Sequence, residues 1–118
     1  MGFWRRKEDV AQANVVELTD DLFDNFVSSN RAVVVEVYMV GCSHCKRMAP
    51  IYERVARSYG GGARFARLDG IKHSLMPRRF DVSATPTILL FRDGVIVGTM
   101  IGEMDQRELE STIKIHLG

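Results

Sequence analysis

The chain has 118 residues, 46% of them hydrophobic and 26% charged, and sixteen basic against fifteen acidic side chains give a formal net charge of +1. That length suits one domain with a core of its own, and so even a charge balance argues against a nucleic-acid binder, which carries a clustered basic excess. No apolar run reaches the length of a membrane span, because the longest, Ala32 to Val40, is interrupted by Glu36.

The opening "MGFWRRKEDVAQAN" has a basic patch but no apolar h-region, so it does not read as a secretory signal. Arg6 stands where a myristoylation site wants Ser or Thr. Residues 1–14 are therefore expected to form a flexible leader, with Phe3, Trp4, Arg5, Arg6 and Lys7 as its one surface for a membrane or a partner. "VVEL" then predicts a short strand. Thr19 or Asp20 caps a helix over "DDLFDNFVSS", where Leu22, Phe23, Phe26 and Val27 fall at helical spacing. "AVVVEVYMV" is β-branched and nearly continuous, the pattern of a strand buried on both faces.

A helix is expected from Ser43 to Tyr59, with Met48, Ile51, Tyr52, Val55 and Tyr59 as its apolar stripe and Pro50 as a kink. Gly60–Gly62 should stop it. "ARFARLD" reads as a strand and "KHSLMPRRFDV" as a short irregular helix. "PTILLF" and "VIVGTMI" flank Arg92-Asp93-Gly94 as a hairpin. Leu109, Ile113 and Leu117, four apart, mark a closing amphipathic helix. The order β-α-β-α-β-α-β-β-α predicts an α/β domain over residues 15–118. Its sheet should be mostly parallel, covered by helices on both faces, with an antiparallel hairpin at one edge.

The only two cysteines, Cys42 and Cys45, lie where the apolar strand gives way to the helix. Residues three apart on a helical turn have β-carbons about 5–6 Å apart, and a disulfide needs α-carbons about 4.4–6.8 Å apart. The pair can thus join and separate with little backbone movement. Cys42 should sit at the helix N-terminus, where unpaired N–H groups and the macrodipole favour an anion, with Cys45 one turn in and more shielded. The expectation is an accessible, low-pKa nucleophile at Cys42 and a resolving thiol at Cys45. A thiol pKa falling from about 8.5 to about 7 raises the thiolate fraction at pH 7 roughly sixteenfold. Nucleophilicity falls roughly fivefold over the same shift, so the net gain as attacker is only about threefold; the larger consequence is a stabilised reduced form. Structural zinc wants four ligands, and only His44, His73 and His116 could supplement two cysteines, so no metal site is expected.

Taken with "VVVEVYMVGCSHCKRMAP", the "TPT" of Thr85-Pro86-Thr87, the "RDG" turn and Gly102 before the last helix, the chain from about Val15 to Leu117 resembles the thioredoxin family. The resemblance implies the thioredoxin fold, a three-layer α/β/α domain with a central mixed sheet. It implies a cis Pro86 facing the cysteines, and a substrate-binding rim of Gly41, Ser43, Thr85, Pro86 and Gly102, with Thr85 offering backbone groups to an extended segment. Glu36 matches the family's buried acid, usually aspartate. Its functional reading is a proton relay to Cys45; the plainer one is a satisfied carboxylate paired with Arg67, which stands where the family often has lysine. The family usually has Trp before the first cysteine and Gly-Pro between the pair, where this chain has Gly41 and Ser43-His44. Histidine before the second cysteine is similar to disulfide isomerases and bacterial disulfide oxidants, and a cation there would stabilise the Cys42 thiolate. His73 and His116 read as plain surface residues.

The function these features imply is that of a thiol–disulfide oxidoreductase reducing protein disulfides. A thioredoxin reductase-type donor would regenerate the dithiol, and no bound cofactor is needed. A cytoplasmic monomer is expected, without nucleic acid or stable membrane association. The alternatives are an oxidase or isomerase-like activity and a binding module without turnover.

Overall fold

The computed structural model describes residues 15–59 and 62–118. The expected leader and the stop at Gly60 and Gly61 lie outside the described residues. The elements are β1 (Val15–Leu18), α1 (Asp20–Ser28), β2 (Ala32–Tyr38), α2 (Ser43–Ser58), β3 (Arg64–Asp69), α3 (Leu75–Arg79), β4 (Thr87–Arg92), β5 (Val95–Ile101) and α4 (Gln106–Leu117). Thr19 caps α1 by accepting from the Leu22 N–H, and Asp105 caps α4 by accepting from the Glu108 N–H. The α3 cap residue Ser74 makes no side-chain bond. Asp20 of α1 instead accepts from the Leu75 and Met76 N–H groups at 3.1 and 3.0 Å. Helix α2 runs through Pro50 without a break.

The five strands stand in the order β1-β3-β2-β4-β5. β3 is parallel to β1 and β2, whereas β4 runs antiparallel to both β2 and β5. The antiparallel part thus begins one strand earlier than the hairpin pattern alone suggested. The cause is the connection. β3 ends at Asp69 beside Tyr38, and β4 starts at Thr87 beside Val37, at the same end of the sheet. The intervening α3, five residues long, spans about 7.5 Å at 1.5 Å per residue. That is too short to return along a six-residue strand of about 20 Å, so the chain turns back from where it arrived.

Strand alternation divides the core between two faces. Under α1 and α3 lie Phe23, Val27, Val33, Val35, Val37, Leu89 and Phe91. Under α2 and α4 lie Val34, Met48, Tyr52, Val55, Ile88, Leu90, Leu109 and Ile113. The Tyr52 hydroxyl bonds to the Val34 and Ala66 carbonyls at 3.0 and 2.7 Å, fixing α2 to β2 and β3. Because Val34 faces α2, Glu36, two residues on, faces α2 as well.

Candidate active site

The two cysteines open α2. Cys42 is the N-cap residue, and its sulfur accepts from the Cys45 N–H at 3.2 Å. Both are free thiols, with Cys42 partly exposed and Cys45 buried at 4% exposure. The preceding Gly41 has φ +89°, in the left-handed region that favours glycine, and brings the chain from β2 into the helix. The Thr85–Pro86 bond is cis. The Cys42 thiol donates to the Thr85 carbonyl at 3.5 Å, and the Thr85 hydroxyl approaches the same sulfur at 3.5 Å. The Gly102 N–H donates to the Pro86 carbonyl at 2.8 Å, tying the end of β5 to the proline loop.

These contacts make the sulfurs unequal. The Cys45 thiol, the Thr85 hydroxyl and the N–H groups of Cys45 and His44 all favour an anion at Cys42 and hold its pKa below the ordinary thiol range. Burial pushes the Cys45 thiol up, and the neighbouring Cys42 adds to the rise. Glu36 is fully buried, and burial pushes its carboxyl up to about 7 against the opposing pull of Arg67. Arg67 Nε lies 3.3 Å from Glu36 Oε1. Nevertheless Glu36 Oε1, Oε2 and Arg67 Nε are all buried without an aligned hydrogen bond. The pairing with Arg67 expected from the sequence is thus present as an ion contact, but without an aligned hydrogen bond to satisfy the carboxylate.

The thioredoxin family model matches residues 14–115. The chain belongs to the thioredoxin family. Thioredoxin of Staphylococcus saprophyticus is 31% identical over 103 residues, 87% of this chain and 98% of that one. Protein disulfide-isomerase A4 of Rattus norvegicus is 34% identical over 100 residues, covering 82% of this chain and 15% of the longer relative. The crystal structure of Malassezia sympodialis thioredoxin superposes with a TM-score of 0.80 at 24% identity, covering 88% of this chain and 94% of that one, and supports the fold. The activity that goes with this family membership is thiol–disulfide oxidoreduction.

Within this thioredoxin-family site, Gly41, Ser43, Thr85 and Gly102 are exposed or partly exposed, while Pro86 is buried. The His44 side chain turns toward Glu103, with Nδ1 2.9 Å from Oε1. Arg47 Nε donates to both Glu103 oxygens at 3.1 and 2.9 Å, and with His44 this holds the Glu103 carboxyl below its usual range. Arg47 Nη2 also stands 3.1 Å from His44 Nδ1. One nitrogen cannot donate to Glu103 and accept from Arg47 at once, so the two contacts exclude each other. Glu103 and Arg47 were not singled out in the sequence. Glu103 meets its partners across 56 to 59 residues, and no local pattern could have found it. Tyr38 was missed too, although two-residue periodicity puts it on the face of Glu36. His73 and His116 are less bland than expected. The Asp20 N–H donates to His73 Nδ1 at 3.4 Å, and the His116 ring lies where a side chain on Gly98 would sit, 3.0 Å from its would-be β-carbon. Among the described residues, no helix is long and apolar enough to cross a membrane.

Proposed function

We propose that this thiol–disulfide oxidoreductase reduces disulfides in protein substrates, with Cys42 as nucleophile and Cys45 as resolving thiol. The observation that carries the reading is the inequality of the two sulfurs: one partly exposed and biased toward thiolate, the other buried and biased toward thiol. The Cys42 thiolate attacks a substrate sulfur, forming a Cys42–substrate disulfide and expelling the other substrate thiolate. Cys45 gives up its proton and attacks Cys42 Sγ, forming the Cys42–Cys45 disulfide and releasing the second substrate thiolate. Two electrons pass to the substrate, and a reductase-type partner returns them.

Glu36, titrating near 7, is the group suited to take the Cys45 proton. His44 and Arg67 tune the pair. Gly41, Ser43, Thr85, Pro86 and Gly102 form the rim on which an extended substrate segment lies. The working unit is residues 15–118, preceded by the leader, acting as a monomer. Its compartment is the cytosol, where a donor keeps the dithiol reduced.

The test is a pair of traps. Cys45→Ser should accumulate a mixed disulfide with a protein substrate through Cys42, and Cys42→Ser should accumulate none. Equal trapping by both, seen by mass spectrometry, overturns the assignment. Insulin reduction with a regenerating reductase separates turnover from mere binding.

A further inference from the structure

Glu17, Arg67 and Glu36 stand directly opposite one another across β1, β3 and β2. One guanidinium therefore lies between two carboxylates, one at the solvent edge and one in the core. An arginine between carboxylates ordinarily turns its planar fork onto one of them and makes paired charge-assisted hydrogen bonds. Arg67 does not do so with Glu36. Its Nε is within 3.3 Å of Oε1, yet the N–H is not aimed at it, and neither Glu36 oxygen has a hydrogen-bond partner.

The plane of the guanidinium is set by something else. Its central carbon lies 4.1 Å from the centroid of the Tyr38 ring, a stacking distance. Tyr38 follows Glu36 by two residues on the same face of β2, and its hydroxyl donates to Glu17 Oε2 at 2.6 Å. The ring is thus pinned at its far end by the very carboxylate that flanks Arg67 on the other side.

We infer that Tyr38, held by Glu17, is a positioning residue that keeps the nearby Arg67 guanidinium out of line with Glu36, so that the buried carboxylate stays able to take up and release a proton. Without the ring, Arg67 would rotate onto Glu36 and fix it as an anion. The other groups facing Glu36 leave this role open. Glu17 on β1 and Glu53 on α2 repel its charge, and Tyr52 on α2 spends its hydroxyl on two carbonyls. The β4 residue in register is the apolar Ile88.

The inference deepens the reading of Glu36 as proton acceptor, but its test needs no turnover. Tyr38→Leu removes the ring and Tyr38→Phe keeps it, and neither alters the formal charge near neutrality. Tyr38→Met, which keeps apolar bulk without a ring, replaces Tyr38→Leu should that variant fail to fold. The measurement is the carboxyl carbon resonance of Glu36 in ¹³C-glutamate-labelled reduced protein between pH 4 and 9, assigned with Glu36→Gln. The ringless variant should titrate lower than wild type by about 1 pH unit or more, the effect of an aligned opposite charge. Tyr38→Phe should shift by less than half as much. An unchanged or raised midpoint in the ringless variant overturns the inference, as does an equal shift in both variants. If the midpoint moves as expected while the rate of Cys45 attack keeps its pH profile, the positioning role stands and the proton-acceptor role of Glu36 falls.

Discussion

The two faces of the sheet are built to different rules. Under α1 and α3 the buried residues carry no ionisable group: Phe23, Phe80 and Phe91 meet at ring separations of 5.4 to 5.6 Å, and the buried polar Thr87 on this face donates its hydroxyl to the Ala84 carbonyl. On the α2 face the same sheet carries a fully buried carboxylate, an arginine whose Nε has no aligned partner and Tyr38, and α2 adds the buried Tyr52. One face supplies stability, and the other gives up some of it to hold titratable groups in the core. Both belong to the same strands, so alternation along β2, with Val35 and Val37 one way and Glu36 and Tyr38 the other, keeps the two tasks apart.

The difference can be broken from the apolar side first. Phe23→Ala removes a ring that is 1% exposed and should cost about 3–5 kcal/mol in denaturant unfolding. Cys42 alkylation against pH should be unaltered. A shifted alkylation profile would show that the faces are not independent.

On the other face the effects reverse. Glu36→Gln should slow single-turnover disulfide exchange on the order of a hundredfold near pH 7, with the wild-type acid limb lost, because no group then takes the Cys45 proton. A rate unchanged between pH 6 and 9 would reduce Glu36 to a structural role. The same substitution should alter stability with a definite sign. An unfolded glutamate releases its proton near its ordinary 4.5, and Glu36 holds it to about 7 in the fold. Between those values the folded state binds more protons, so wild-type stability falls as pH rises through the window. The loss amounts to about 3 kcal/mol at roughly 1.4 kcal/mol per unit. Glu36→Gln should abolish that fall, read as a flatter dependence of unfolding free energy on pH from 4.5 to 7.5. A parallel fall in both proteins would mean that other groups cause it.

The smallest effect sharpens the account at the cysteines. Thr85→Val removes the hydroxyl beside Cys42 Sγ and leaves the carbonyl. Losing one hydrogen bond of about 0.5–1.5 kcal/mol should raise the Cys42 pKa by up to about one unit, read from thiolate absorbance. No rise would leave the Cys45 thiol and the helix-terminal N–H groups as the source of the bias.

Much of this was legible in the sequence for identifiable reasons. The β-branched run and the Arg92-Asp93-Gly94 turn placed β2 and the hairpin, and helical spacing picked Met48, Tyr52 and Val55, all fully buried. The same spacing misplaced Leu22, which is 54% exposed because α1 buries only the stripe from Phe23 to Val27. The cysteine pair, its inequality and the buried Glu36 followed from position on a helix start and in an apolar strand. The Glu103 clamp on His44 and Arg47 arises from contacts between distant segments, for which local pattern carries no signal. Strand alternation puts Tyr38 on the face of Glu36, but its contacts with Glu17 and Arg67 do not show in the sequence, and the reversal at β4 follows from the short α3.

The central claim is that one turn of helix makes two chemically identical thiols unequal. It is tested most directly by alkylating the reduced protein with iodoacetamide from pH 5 to 10 and counting label at each cysteine by mass spectrometry. Cys42 should react first, with a midpoint below that of an ordinary thiol, while Cys45 stays unlabelled until well above it. Equal rates at both cysteines, or faster labelling of Cys45, would contradict the account.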